Sequence, residues 1–211
     1  MTTTKERHRA SGGTVVRRWQ DGALALVALA LLVLSAVPVD AHHISSAERG
    51  VFRLVNDHTV LPFTPVWALM QLGNILVVPV AALIAAATRR WRLAIGILVG
   101  GLATYYLAKV VKSLVTRGRP ADLVDDVSIR GAAALGRGYV SGHAAVVTLL
   151  VVLAWAYLGN RGRILAVSVA AFVCLARMYV GAHLPLDIVG GVALGLGVAA
   201  EVRLILGRPA P

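Results

Sequence analysis

The sequence predicts an all-α fold, a polytopic membrane protein built as a six-transmembrane-helix bundle with its site at the extracytoplasmic membrane face. Three observations predict it. Of 211 residues, 58% are hydrophobic and only 15% charged, with a mean hydropathy of +0.76; a soluble domain needs a more polar surface than that. Six apolar segments recur along the chain: about Gly22–Val39, Val66–Ala87, Leu93–Val111, Ala144–Leu158, Ile164–Val180 and Leu186–Leu206. The basic residues, finally, collect in alternate connections between those segments. A net charge of +11 in a soluble chain would suggest nucleic acid. In this chain the distribution of the charge matters more than its sum, and no nucleic-acid partner is expected.

Most segments approach the roughly 20 residues that cross a bilayer, and the fourth does so only if Ser141, Gly142 and His143 begin it. Lys5, Arg7, Arg9, Arg17 and Arg18 precede the first segment, and Arg89, Arg90 and Arg92 separate the second from the third. Arg161 and Arg163 separate the fourth from the fifth, and Arg203 and Arg208 end the chain. If all six segments span, these regions share one side, which the positive-inside rule makes cytoplasmic. Both termini are then cytoplasmic in an inner or plasma membrane. Residues 1–21 read as a cytoplasmic basic tail and 22–211 as the six-helix domain. The basic start followed by Val39-Asp40-Ala41 also has the form of a cleaved signal peptide, although the 21-residue leader is long for one. Trp19, Trp91 and Trp155 fall near the inner boundary and Trp67 near the outer one, as interfacial tryptophans do. Ser45–His58 is expected as an amphipathic helix on the outer interface. The single cysteine, Cys174, excludes an intrachain disulfide and reads as small apolar packing. Gly191-x3-Gly195 and Ala193-x3-Gly197 read as close helix packing.

The charges that break the positive-inside pattern all fall on the other side. Lys112 and Arg177 end the third and fifth segments there; His143, His183 and Asp187 begin the fourth and sixth; the loop after the third adds Arg117 and Arg119. Ionisable side chains at membrane depth are costly and mark function. Ser141 is a good N-cap, so the N–H groups of Gly142 and His143 open a helix with its positive dipole end toward the cluster. Pro185 suits the first turn of the sixth segment, with His183 just before that helix and Asp187 inside its first turn. Helix N-termini together with Lys and Arg side chains make a cradle for phosphate. Two histidines go further, since one can attack phosphorus while the other protonates the departing oxygen. Arg117 is expected either to touch phosphate or to face water. Lys109 either snorkels outward or lines the site entrance, and Glu201 is expected to be balanced by Arg203 or another inner basic residue. His42 and His43 read as loop residues, because nothing nearby completes a metal set.

These residues carry a resemblance. Lys112-Ser-Leu-Val-Thr-Arg-Gly-Arg119-Pro120 matches K-x6-R-P; Val140-Ser141-Gly142-His143 is similar to P-S-G-H; Ala176-Arg177-x5-His183-x3-Asp187 is similar to S-R-x5-H-x3-D. Together they resemble the three-part signature of the type 2 phosphatidic acid phosphatase superfamily, membrane lipid phosphatases related in active site to acid phosphatases and vanadium haloperoxidases. Val140 and Ala176 depart from the pattern without removing a catalytic group. The resemblance implies His183 as the nucleophile forming a phosphohistidine, Asp187 as the holder of its imidazole, and His143 as the proton donor. It implies Lys112, Arg119, Arg177, Ser141 and Gly142 as phosphate ligands, with no metal and no cofactor. The implied partner is a membrane lipid phosphate held in the bilayer; oligomeric state stays open. Isoprenoid diphosphate such as undecaprenyl diphosphate is slightly preferred over phosphatidic acid or phosphatidylglycerol phosphate. Two other readings compete: a lipid phosphotransferase using the same intermediate, and a transporter, which would instead spread its ionisable groups through the membrane depth.

Overall fold

The computed structural model describes residues 15–57 and 60–209. Lys5, Arg7 and Arg9 of the expected tail, and His58 at the end of the expected interfacial helix, lie outside them. Nine helices follow in order among the described residues: α1 (Trp19–Ala36), α2 (Ser46–Asn56), α3 (Phe63–Met70), α4 (Val77–Ala87), α5 (Trp91–Leu114), the short α6 (Pro120–Leu123), α7 (Gly142–Ala154), α8 (Asn160–Tyr179) and α9 (Pro185–Leu206). A two-residue antiparallel pairing joins β1 (Val15–Val16) to β2 (Arg208–Pro209).

Four helices, α1, α5, α8 and α9, are long and apolar enough to cross a membrane. The expected second segment, Val66–Ala87, is not one continuous helix. It is the pair α3 and α4, bent by 65° and long enough to count as a fifth span if taken together. The local sequence accounts for the break. A 3-10 turn over Gln71–Gly73 runs into extended Asn74, whose side-chain oxygen accepts from the Leu76 N–H at 3.1 Å, and Pro79 falls in the first turn of α4 where no N–H is needed. Gly73 packs so tightly that a Cβ there would lie 2.8 Å from the His143 carbonyl oxygen. The bend therefore presses against the start of α7. That helix is short, 13 residues followed by a 3-10 turn at Trp155–Tyr157. It begins at Gly142 with Ser141 as N-cap, the start that the sequence required if the fourth segment was to be long enough.

α9 is the packing centre, with α1 on one side and α7 on the other. At Gly191 and Gly195 any side chain would collide with the carbonyl oxygens of Ser141 and Ala145 on α7. These glycines let the two backbones approach, the close packing their spacing predicts. α2 is helical and amphipathic as expected, with Phe52 fully buried. Cys174 packs half-buried at the edge of the apolar cluster around Phe52 and Leu184.

Basic residues gather at one end of the bundle, and the structure gives several of them partners. Arg17 donates to the carbonyls of Leu204 and Ile205, and Arg92 to that of Leu206. Both arginines meet the last turn of α9, where unpaired carbonyls and the helix dipole attract positive charge. Asp21 on α1 lies 3.7 Å from Arg203 and 3.6 Å from Arg208. Of the partners expected for Glu201, Arg203 or another inner basic residue, Arg203 is corrected: it turns inward to Asp21 and to the Val152 carbonyl, while Glu201 is exposed. Arg163 stacks over Trp155 and Arg90 over Tyr157 at the same end.

Candidate active site

At the other end, the close of α5 and of α8 meets the start of α7 and of α9. α8 stops because Gly181 adopts φ +74, the left-handed conformation that glycine takes without strain. The N–H groups of Ala182 and His183 then fold back onto the Arg177 carbonyl at 3.0 and 3.2 Å. Pro185 opens α9 in its first turn, as the sequence indicated, and the Leu184 N–H donates to Asp187 Oδ2 at 3.0 Å. The same oxygen lies 3.2 Å from His183 Nδ1. One helical turn thus holds a histidine and a carboxylate in register. The Ser141 N–H donates to the Asp187 carbonyl at 2.8 Å, tying the start of α7 to that of α9.

The tautomer of His183 follows from its neighbours. The Asp187 carboxylate only accepts, so Nδ1 carries the proton that points to it and Nε2 the lone pair, while Arg119 Nη1 lies against the ring at 3.0 Å from Nε2 and 3.3 Å from Nδ1. Burial, and then the charges of Arg177, Arg119, Lys112 and His143, hold the His183 imidazole well below the usual histidine range. It is a neutral base surrounded by cations.

The remaining predicted residues are brought to this point in different ways. Arg119 also donates to the carbonyls of Leu135, Gly136 and Ala182, so it holds the loop before α7 as well as facing His183. Lys112 Nζ donates to the carbonyls of Arg137 and Gly138 at 2.9 and 3.1 Å. Among the described residues Arg177 has only the weak acceptor Met70 Sδ at 3.3 Å, and its buried Nε has no partner there, which leaves most of its donors unspent. Ser141 is fully buried, its hydroxyl accepting from the Ala144 N–H at 3.4 Å. Gly142 is different in kind: a Cβ there would meet no atom within 4 Å, so open space lies beside the N-terminus of α7. His143 and Gly142 sit in the wall of a largely apolar cavity of about 310 Å³ that the α3–α4 bend, α5 and α7 enclose, with Lys112 and Lys109 also lining it. His42 and His43 remain loop residues, their N–H groups both donating to Asp40 Oδ1.

Arg117 neither faces water nor reaches toward the cavity. It is 2% exposed, with Nη1 donating to Asp187 Oδ1 at 3.1 Å and Nη2 to Glu48 Oε2 at 2.6 Å. Glu48 Oε1 in turn accepts from the Leu186 N–H at 2.9 Å. Sequence reasoning missed Glu48 because it falls within Ser45–His58, a segment expected to lie on the interface as an amphipathic helix. The signal was present in the spacing: Glu48, Phe52 and Asn56 follow at i, i+4 and i+8, and all three are buried.

A helical, multi-pass membrane chain with a His–Asp pair facing three basic side chains defines a class, and the comparisons agree. Residues 91–209, more than half the chain, match the family model of the PAP2 superfamily, and the protein belongs to that superfamily. Among characterised proteins it is similar to an undecaprenyl-diphosphatase of Sulfolobus acidocaldarius, 28% identical over 153 residues that span 69% of this chain and 71% of that one. Among solved structures it is similar to Aquifex aeolicus LpxE, with a TM-score of 0.71 and 19% identity over 77% of this chain and 98% of that one. It is also similar to the first transmembrane PAP2 type phosphatidylglycerolphosphate phosphatase from Bacillus subtilis, with a TM-score of 0.64 and 22% identity over 88% of this chain and 95% of that one. At these identities the two structures speak to the fold.

Proposed function

We propose that the protein is an integral membrane lipid phosphatase that hydrolyses a lipid phosphate or diphosphate through a phosphohistidine intermediate, with isoprenoid diphosphate slightly preferred. The observation that carries this reading is the meeting of two histidines, one of them paired with a carboxylate, beside Lys112, Arg119 and Arg177 at one end of the bundle. His183 is buried and neutral, with its Nδ1 toward Asp187 and Arg119 against its ring, while His143 stands in the wall of a largely apolar cavity. Nε2 of His183 attacks phosphorus while Asp187 stabilises the charge that develops on the imidazole. Arg119 turns from the ring to a phosphoryl oxygen, and Lys112, Arg177 and the Gly142 N–H hold the others. Ser141 acts by capping α7 and so aiming that N–H. Phosphoryl transfer asks mainly for such positioning and positive charge. His143 protonates the leaving oxygen and then activates water to release phosphate.

An acyl or prenyl chain fits the apolar cavity, and the name of the Sulfolobus relative supports a diphosphate. Three basic side chains supply the charge that a metal would, so no metal ion takes part. Six spans follow if α3–α4 and α7 each count as one, and the arginines at the far end make that end cytoplasmic. The termini are then inside and the site outside.

The test is phosphate release by the detergent-purified protein from lipid phosphates and diphosphates with EDTA present. Wild type should turn over, and His183→Ala should lose roughly four orders of magnitude or more. An acid-labile phosphoprotein should be trapped from wild type alone. A normal rate in His183→Ala removes the nucleophile assignment, and inhibition by EDTA that a divalent ion reverses removes the metal-free one.

A further inference from the structure

Among the described residues of the cavity wall, Lys109 is the one charged side chain that the chemistry above leaves unused. It lies three residues before Lys112 on α5, so the two share a helix face and stand about 4.5 Å apart along the axis, a step the size of one phosphoryl group. Both line the cavity that carries His143. Its other walls are mostly apolar, including Ile75, Ala108 and Val146, with Asn74 and Thr104 as the uncharged polar side chains. The ammonium is held 4.3 Å from the centroid of the Tyr105 ring. That contact fixes the charge beside the cavity without neutralising it, and among the described residues no carboxylate pairs with it.

The direction of the reaction says what this charge meets. In-line displacement puts the leaving oxygen opposite the attacking His183 nitrogen, on the side of its proton donor His143. Whatever is bonded to that oxygen therefore occupies the cavity. For a lipid monophosphate the next atom is carbon, and a cation beside it adds nothing. For a lipid diphosphate the next group is a second phosphate with its own negative charge.

We propose that Lys109, seated on Tyr105, is the subsite for the second, lipid-side phosphate of an isoprenoid diphosphate, and that it selects diphosphates over monophosphates. The inference rests on the phosphatase reading. In the step it serves, a bond forms between His183 Nε2 and the terminal phosphorus as the bond from that phosphorus to the bridging oxygen breaks. The electron pair stays on the bridging oxygen, which takes the proton of His143. The lipid monophosphate leaves against Lys109, and water then attacks the phosphohistidine to give inorganic phosphate and free His183. The prenyl chain continues along the apolar wall.

The test uses two substrates with one tail, farnesyl diphosphate and farnesyl monophosphate, on the full-length detergent-purified protein. The ratio of their kcat/KM values should fall tenfold or more in Lys109→Met, the size of one charge-assisted hydrogen bond, and Lys109→Arg should restore most of it. A ratio that does not move, or an equal loss on both substrates, overturns the subsite and leaves Lys109 a packing residue. A second readout separates this failure from that of the enzyme reading. The methylene-diphosphonate and phosphonate analogues of the same two lipids are not hydrolysed, and wild type should bind the first more tightly by a margin that Lys109→Met loses. If wild type releases no phosphate yet keeps that margin, the phosphatase reading falls and the diphosphate subsite stands. If both analogues bind alike to wild type and variant, the subsite falls whatever the turnover.

Discussion

The proposed reactive nitrogen owes its state to a hydrogen bond and to charge, and each makes a prediction. Asp187 fixes the proton on Nδ1 of His183 and so leaves the lone pair on Nε2, and Arg119 Nη1 lies against the ring, 3.0 Å from Nε2 and 3.3 Å from Nδ1. Asp187→Asn can donate as well as accept, so it mis-sets the tautomer; turnover should drop by about 10³-fold or more at an unchanged KM. A rate within a few-fold of wild type would take Asp187 out of the reaction. The pH dependence follows from the depressed His183 value. Its folded pKa lies below the ordinary value of about 6.5, so as pH falls the unfolded chain takes up the proton first. The contribution to stability is complete above about pH 6.5 and declines below it, with a slope of at most about 1.4 kcal/mol per pH unit for one proton. Thermal unfolding in detergent between pH 7.5 and 5 should show this decline, reduced in His183→Ala; equal slopes would mean the imidazole is not held neutral. By the same token the acid limb of kcat/KM should lie below the ordinary histidine range. Gly142 gives a third check. Since a Cβ there meets no protein atom, Gly142→Ala should keep the melting temperature within a few degrees yet raise KM roughly tenfold by intruding on the phosphoryl oxygens. These side chains were legible in the sequence because Lys112, Arg119, Arg177, His143 and His183 broke the charge pattern of a membrane protein. Arg117 was misread because a charge buried by its partners looks, in sequence, the same as one that faces water.

At the scale of elements, α2 contributes more than an amphipathic face. Glu48 meets Arg117 and the Leu186 N–H at one end of the helix. At the other, Asn56 donates to the carbonyls of Ser128, Met178 and Tyr179 and accepts from the Ser128 N–H at 2.9 Å. The helix thus clips the end of α8 and the start of α9, the two elements that carry Arg177 and Asp187 and flank His183. Glu48→Ala leaves Arg117 buried with a single carboxylate, and removing one member of a buried pair costs about 3–5 kcal/mol. Its melting temperature should fall accordingly, and the surviving folded fraction should show a lower kcat, because Arg117 is then free to pull Asp187 away from His183. Glu48→Gln keeps an acceptor for the Leu186 N–H and should lose less on both counts. A variant as stable and active as wild type would reduce the Glu48–Arg117 contact to incidental packing. None of this was visible from hydropathy alone, which sees α2 as a surface helix; the i, i+4, i+8 placing of Glu48, Phe52 and Asn56 was the available clue. The bend between α3 and α4 was hidden for a related reason. An apolar run reads as one span, and only Gly73, Asn74 and Pro79 within it report the break that encloses the cavity.

Over the whole molecule, the two ends differ in what their charges do. At one end, arginines neutralise the exposed carbonyls of α9 and the carboxylate of Asp21; at the other, Lys112, Arg119 and Arg177 turn inward on one histidine. Between them the flanks are apolar, with Leu26, Leu83, Ile84, Leu102, Ile164 and Leu165 all exposed. Such a surface is stable against lipid and not against water. The bundle is therefore polar at both ends for different reasons, one set by topology and one by chemistry. The far-end arginines are many and close to the ends of spans, and by the positive-inside rule we propose that their side is cytoplasmic and the site extracytoplasmic. Single-cysteine reporters test this directly in a Cys174→Ser background. Ala132 is exposed in the loop that Arg119 holds, and Arg161 is exposed at the opposite end. On intact cells a membrane-impermeant thiol reagent should label Ala132→Cys, and should label Arg161→Cys only after the membrane is opened. The reverse pattern would turn the site to the cytoplasm and require its lipid phosphate to be presented from the inner leaflet. Equal labelling of both before the membrane is opened would mean that the two ends share a side, and the count of spans would then be odd between them no longer.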